Sequence, residues 1–240
     1  MKIGILISGR GSNMATLLNE RAAGHLPEAE FCVVISNNPD APGLPIARQY
    51  GVPAVAIDHR PFGKNRAEHE AAIIAELAKH SVDLVVLAGY MRLLTPTLIG
   101  AFRDRMMNIH PSLLPAFPGA HAQRDALAYA VKIAGCSVHF VTEEMDAGAI
   151  ILQRTVPVLA TDDEAMLSQR ILKQEHLAYP LAVDLASRGR LRVVGRETQI
   201  LRGEGSYPGL ERELSLRTPI LAATGNAHKL HEMRAILRGK

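Results

Sequence analysis

Two cysteines in 240 residues are too few for a disulfide framework or a cysteine-rich zinc site, which need more ligands at closer spacing. Cys32 and Cys136 each sit inside an apolar run, "EFCVVIS" and "GCSVHFV". Reduced, buried thiols are common in such runs, and both are expected in the core. No apolar run reaches the ~18 residues of a membrane-spanning helix. The opening "MKIGILISGRG" carries charge and glycine where a secretory signal would have a small-residue cleavage site. A cytoplasmic chain that starts directly with a strand is therefore expected. Excess charge is scarce too. Residues 1–195 hold 19 Lys+Arg and 19 Asp+Glu, and the net +3 comes entirely from residues 196–240, which hold 8 and 5. A basic tail does not make a nucleic-acid face, so neither a nucleic acid nor a membrane is an expected partner.

What is present is a repeat of strand then helix. "KIGILIS" (2–8), "EFCVVIS" (30–36), "VPAVAI" (52–57), "VDLVVLAGY" (82–90) and "RMMNIH" (105–110) read as strands. Several are continuously apolar, as buried parallel strands are. Residues 13–24 and 66–80 have helical spacing. The alternation predicts an α/β fold with a doubly wound, mostly parallel twisted sheet flanked by helices. After Gly135 come two strands joined by an acidic loop, then a long amphipathic helix over 163–187 with Thr161 and Asp162 as candidate N-caps. "RLRVVGR" (190–196) reads as a last strand, and the Gly- and Pro-rich stretch that follows reads as a linker over 196–218.

Three stretches carry chemistry. "SGRGSN" (8–13) follows a strand and opens a helix, where backbone N–H groups and the helix dipole favour an anion. It lacks the third glycine of a dinucleotide fingerprint and the lysine of a P-loop. A small phosphate ester fits it better, with a plain tight turn as the competing reading. In "NIHPSLLPAFPG" (108–119), Asn108 and His110 alternate along a strand and so share a face. Both can donate to an oxygen that gains negative charge, and prolines at 111, 115 and 118 stiffen the next loop. A capped strand end with a satisfied core histidine would look the same. In "EEMDAGAI" (143–150), Asp146 stands beside a small flexible segment and could turn toward a histidine, favouring its charged form. A solvated hairpin loop is the alternative there.

Together with "VVLAGYMRLL" and "QEHLAYPL", these motifs resemble the glycinamide ribonucleotide formyltransferase family in order and spacing over residues 1–195. The resemblance implies formyl transfer from 10-formyltetrahydrofolate to an amine in purine synthesis. It implies a phosphate site at Gly11, Ser12 and Asn13, a catalytic set of Asn108, His110 and Asp146, and Glu175 near the substrate amine or ribose. Arg66, Met91, Arg92, Leu93 and Leu94 resemble folate-contacting positions, residues 141–146 with Val141 would wall the pterin site, and Asn108 would also touch the folate. It implies small-molecule substrates, no metal, and a monomer or homodimer. Two sister activities resemble the same constellation. Methionyl-tRNA formyltransferases differ after the histidine and carry a second, nucleic-acid-binding domain. Formyltetrahydrofolate deformylase is the alternative, with water replacing the amine.

The chain departs from that pattern in two places. Gln123 stands where relatives often have a second histidine, so His121 is not expected to be catalytic, and His139 is read as a core histidine or one just behind the site. Residues 219–240 are expected to form an atypical strand–helix tail, loosely docked or disordered. Within it, "PILAATGNAHKLHEMRAIL" (219–237) resembles the N-terminus of the inosine/xanthosine triphosphate pyrophosphatase family, with Thr224, Asn226, Lys229 and Glu232 in its motif slots.

Overall fold

A computed structural model describes residues 1–201. The strands are β1 (Lys2–Ile7), β2 (Glu30–Ser36), β3 (Ala54–Ala56), β4 (Leu84–Leu87), β5 (Met106–His110), β6 (Ile133–Phe140), β7 (Ile150–Pro157), β8 (Leu191–Val194) and β9 (Glu197–Ile200). The helices are α1 (Ser12–Ala22), α2 (Gly43–Gln49), α3 (Arg66–Lys79), α4 (Pro96–Ala101), α5 (Ala122–Ala128) and α6 (Glu164–Ser187). One nine-stranded sheet runs in the order β3-β2-β1-β4-β5-β6-β7-β9-β8. The pairs from β3 through β5 are parallel, β6 is antiparallel to both β5 and β7, and β8 and β9 form an antiparallel pair. The expected mostly parallel, helix-flanked sheet is what forms.

The parallel half is buried on both faces, which is why its strands read as unbroken apolar runs. Leu6, Val33, Ile35, Val85 and Leu87 pack with Ile73 and Leu77 of α3 and with Leu98 and Phe102 around α4. The order reverses between β1 and β4, because the connection after β1 leads to β2 on one side and the chain returns to β4 on the other. Open α/β sheets bind ligands in the crevice at such a switch point, beyond the carboxyl ends of the strands.

α6 fastens the floor of that crevice. Tyr179 is fully buried, and its hydroxyl lies 2.8 Å from the Leu87 carbonyl and 3.1 Å from that of Met107. It ties the helix to the last turn of β4 and to β5 one residue before Asn108. The start of α6 differs from expectation. Its N-cap is Asp163, whose carboxylate accepts from Met166 N–H. Asp162 instead accepts from Leu159 N–H and from the Arg170 guanidinium, so an acid one residue short of the cap closes the preceding turn. Glu197–Ile200, placed by sequence in the linker, is strand β9. The rest of the linker and the tail lie outside the described residues. Among the described residues, no helix is long and apolar enough to cross a membrane.

Candidate active site

β5 leaves the sheet with Asn108 and His110 on one face, as alternation requires. They enter a cavity of about 350 Å³ lined also by Met91, Leu93, Val141 and Asp146.

His110 is buried and held from two sides. Its Nε2 donates to the Phe117 carbonyl at 2.9 Å, and its Nδ1 stands 3.5 Å from Asp146 Oδ2. Both ring nitrogens face acceptors, so a proton on either one has a partner. The carboxylate contact is longer than the ~2.8 Å of a charge-assisted hydrogen bond, so Nδ1–H is held electrostatically yet can still meet a ligand oxygen. Asp146 is itself fixed, since Oδ2 accepts Gly119 N–H at 2.8 Å.

The two groups that flank the ring come from unusual backbone. Phe117 (φ 52°) and Asp146 (φ 54°) are both left-handed. Aspartate tolerates that region, but a bulky aromatic does so only at a cost of roughly 1–3 kcal/mol. The proline loop absorbs the strain because it is bonded from beneath. Ser137 Oγ donates to Ser112 O and accepts Leu114 N–H, while Gln153 Nε2 donates to Leu114 O.

His139 belongs to the site. It is directly opposite Asn108 in the β5–β6 register. Its Nδ1 donates to the Phe140 carbonyl at 2.9 Å, and burial pushes its pKa down, so the neutral ring presents a lone pair on Nε2. Asn108 Nδ2 donates into that lone pair at 3.3 Å. This sets which end of the amide faces the cavity and leaves its second N–H for a ligand. His139 Nε2 is also 3.7 Å from Asp146 Oδ1. The expectation of a core or supporting histidine is sharpened here to a direct contact with two of the three expected catalytic residues. The signal that could have found it is the alternation on β6, readable only once β6 is known to run antiparallel to β5. The Phe117 carbonyl and Gly119 N–H were not read from sequence.

The expected folate positions divide. Met91, Arg92, Leu93, Leu94 and Val141 line the cavity with the Asn108, His110 and Asp146 set. Arg66 lies outside that lining, exposed at the start of α3, with its guanidinium 3.4 Å from the Leu93 carbonyl. Gln123 lies in α5 and His121 at its start; neither lines the cavity. Burial pushes the Cys136 thiol up to about 12, which leaves it inert.

The expected phosphate residues lie apart from this cavity. Gly11 is left-handed (φ 69°) and caps α1 with its backbone alone, so the first turn's N–H groups face outward without a side-chain cap. Asn13 Nδ2 donates to Glu175 Oε2 at 2.7 Å, while Asn13 Oδ1 is buried with no hydrogen-bond partner. Burial raises the Glu175 pKa above its ordinary 4.5, opposed by the Asn13 bond. Because the folded-state value exceeds the unfolded one, the carboxyl favours the fold below about pH 4.5, and that contribution is lost as pH rises through the folded value. Glu175→Gln should therefore melt a few degrees higher than wild type near pH 8 and equally near pH 4. A pair of thermal melts checks this, and a gain that is the same at both pH values would refute it.

Among the described residues, no group of three or more His, Cys, Asp or Glu could hold a metal ion.

The fold and this site define a formyl transferase. The profile of the formyl transferase family matches residues 1–183, and the chain belongs to that family. Phosphoribosylglycinamide formyltransferase of Escherichia coli K12 is 40% identical over 193 residues, covering 80% of this chain and 90% of that enzyme. The crystal structure of glycinamide ribonucleotide transformylase 1 from Symbiobacterium toebii superposes with a TM-score of 0.82 at 48% identity, covering 84% of this chain and 94% of that one. The trifunctional purine biosynthetic protein adenosine-3 of Drosophila melanogaster is 44% identical over 189 residues, 78% of this chain, but the match spans only 14% of that longer protein.

Proposed function

We infer that the chain transfers the formyl group of 10-formyltetrahydrofolate to the amine of glycinamide ribonucleotide. The observation that carries this reading is the end of β5. There an amide N–H and an imidazole Nδ1, each oriented by a fixed partner, face one cavity beside the half-buried carboxylate of Asp146. Similarity to enzymes of that name over nearly their full length supports it.

The amine nitrogen attacks the formyl carbon, and the carbonyl π electrons move to oxygen. Asn108 Nδ2–H and His110 Nδ1–H donate to that oxyanion as its charge grows. When the adduct collapses, the bond from carbon to N10 breaks and N10 takes a proton, while the attacking nitrogen gives one up. Asp146, close to both the imidazole and the cavity, holds the ring in place and is the group able to accept and return that proton through water. Met91, Arg92, Leu93 and Leu94 with Val141 form the folate wall, and Arg66 lies where it can meet the acidic tail of a folate. At the other substrate, α1's open first turn and Gly11, Ser12 and Asn13 receive the phosphate, with Glu175 beside it for the ribose or amine.

The experiment is formyl transfer followed by absorbance of the deformylated folate, with and without glycinamide ribonucleotide. Turnover only with the ribonucleotide supports the reading. Equal turnover without it would identify a deformylase, in which water takes the place of the amine.

A further inference from the structure

Ser8 begins the loop that leads to the proposed phosphate residues and bonds the wall of the catalytic cavity. It ends the strand that feeds "SGRGSN", and it is half-buried. Its backbone N–H donates to Gly89 O at 3.1 Å, and its hydroxyl accepts Met91 N–H at 2.7 Å. The same hydroxyl donates to Asn37 Oδ1 at 2.6 Å. Asn37 is buried, and the ring of His59 stands against it, with Nδ1 2.9 Å from the Asn37 backbone carbonyl and 3.2 Å from its Nδ2. One side chain thus joins the ends of β1, β2 and β4, across the point where the strand order reverses. Gly89 and Met91 line the catalytic cavity, whereas Ser8 is three residues from the left-handed Gly11 that opens α1.

A serine hydroxyl has one proton to give and two lone pairs, and here the proton and at least one lone pair are committed. The Met91 N–H has no helix or strand partner. Its position therefore follows Ser8, and Ser8 follows the phosphate loop.

The geometry points to Ser8 as a positioning residue that couples the two binding regions, so that an anion ordering the 8–13 loop also orders the 89–91 wall and tightens folate binding there. This rests on the functional reading above. By reciprocity, folate must tighten ribonucleotide binding by the same factor.

The test is calorimetric binding of 5,8-dideazafolate, which carries no formyl group and cannot react, with and without saturating glycinamide ribonucleotide. Wild type should bind the folate roughly 5- to 10-fold more tightly when the ribonucleotide is present, near the low end of measured couplings. Ser8→Ala should bring that ratio to within about twofold of one, and Ser8→Thr, which keeps the hydroxyl, should restore it. A wild type that binds both ligands with a ratio of one overturns the coupling while leaving the function intact. A wild type that binds neither overturns both. A Ser8→Ala protein that keeps the wild-type ratio also overturns it. If Ser8→Ala does not fold, hydrogen exchange at the Met91 amide of the wild type decides. Slower exchange on adding the ribonucleotide supports the coupling, and unchanged exchange refutes it.

Discussion

Asn108→Ala and His110→Ala are each expected to lower kcat by about 10²–10³, the usual loss on removing one oxyanion donor, with much smaller changes in KM. The split follows from when the contacts form. In the proposed mechanism both donors face an oxygen that is a neutral carbonyl in the bound substrate and becomes charged only in the adduct, so their removal falls on the transition state. The double variant should be little worse than His110→Ala alone, because groups that act as a unit are not additive. Asp146→Asn is the companion variant. Asparagine tolerates the same left-handed backbone and can still accept Gly119 N–H, so the loop stays in place while the charge beside Nδ1 is lost. Stopped-flow or steady-state assays with matched thermal melts check the set. Near-wild-type kcat in either alanine variant, with the fold intact, would remove that residue from the chemistry.

Gly148→Ala is expected to be the most damaging small substitution. A methyl group at that position would stand 1.8 Å from the Phe140 carbonyl oxygen and 2.7 Å from its carbon. Those are backbone atoms at the end of β6, where Phe140 N–H also bonds Ala149 O, so no flexible side chain can move aside. The turn between β6 and β7 must open. Overpacking of this kind costs about 3 kcal/mol or more, which for a domain of this size lowers Tm by roughly ten degrees. The loop that opens carries Asp146, so turnover should fall as well, even at temperatures where the variant is folded. Differential scanning calorimetry and the formyl-transfer assay read the two effects separately, and a Tm within two or three degrees of wild type would contradict the clash.

The parts of the fold that were legible in sequence are those where one strong pattern decides. β2 matches its apolar run residue for residue, and β1 and β5 do so within one or two. β4 is shorter than its run, although Ala88 N–H still bonds Leu6 O and Gly89 O still accepts from Ser8 N–H just past it. α2, α4 and α5 were not seen. They have six or seven residues each, less than two turns, and the first two contain Pro or Gly, which reads locally as loop. β9, "ETQI", is polar and partly exposed. Its strand character comes from pairing with β8 and contacting Ile150, a context that a four-residue window does not carry.

The same division runs through the site. Asn108 and His110 were readable because strand alternation needs only the strand itself. Asp146 was harder, since its meeting with His110 depends on a loop 36 residues on; its acidic, flexible setting suggested the pairing but equally a solvated hairpin loop, and the family resemblance favoured the first. His139 required the register of β6 on β5. The Phe117 carbonyl and the Gly119 N–H have no side-chain signature at all, and every residue offers such groups.

The bond between Asn13 and Glu175 fixes how that amide could serve the proposed phosphate site. One N–H of the Asn13 amide is committed to the Glu175 carboxyl, which leaves its second N–H for an incoming anion. An uncharged riboside meeting that N–H would only exchange a bond to water for a bond to itself and gain little, since swapped hydrogen bonds nearly cancel. A phosphate ester gains in addition the open first turn of α1 and its dipole, and a donor on the same ligand could satisfy Asn13 Oδ1, which lacks a partner. Under the proposed function, preference for the phosphorylated form over the free nucleoside would therefore be set by the open end of the helix more than by the amide beside it.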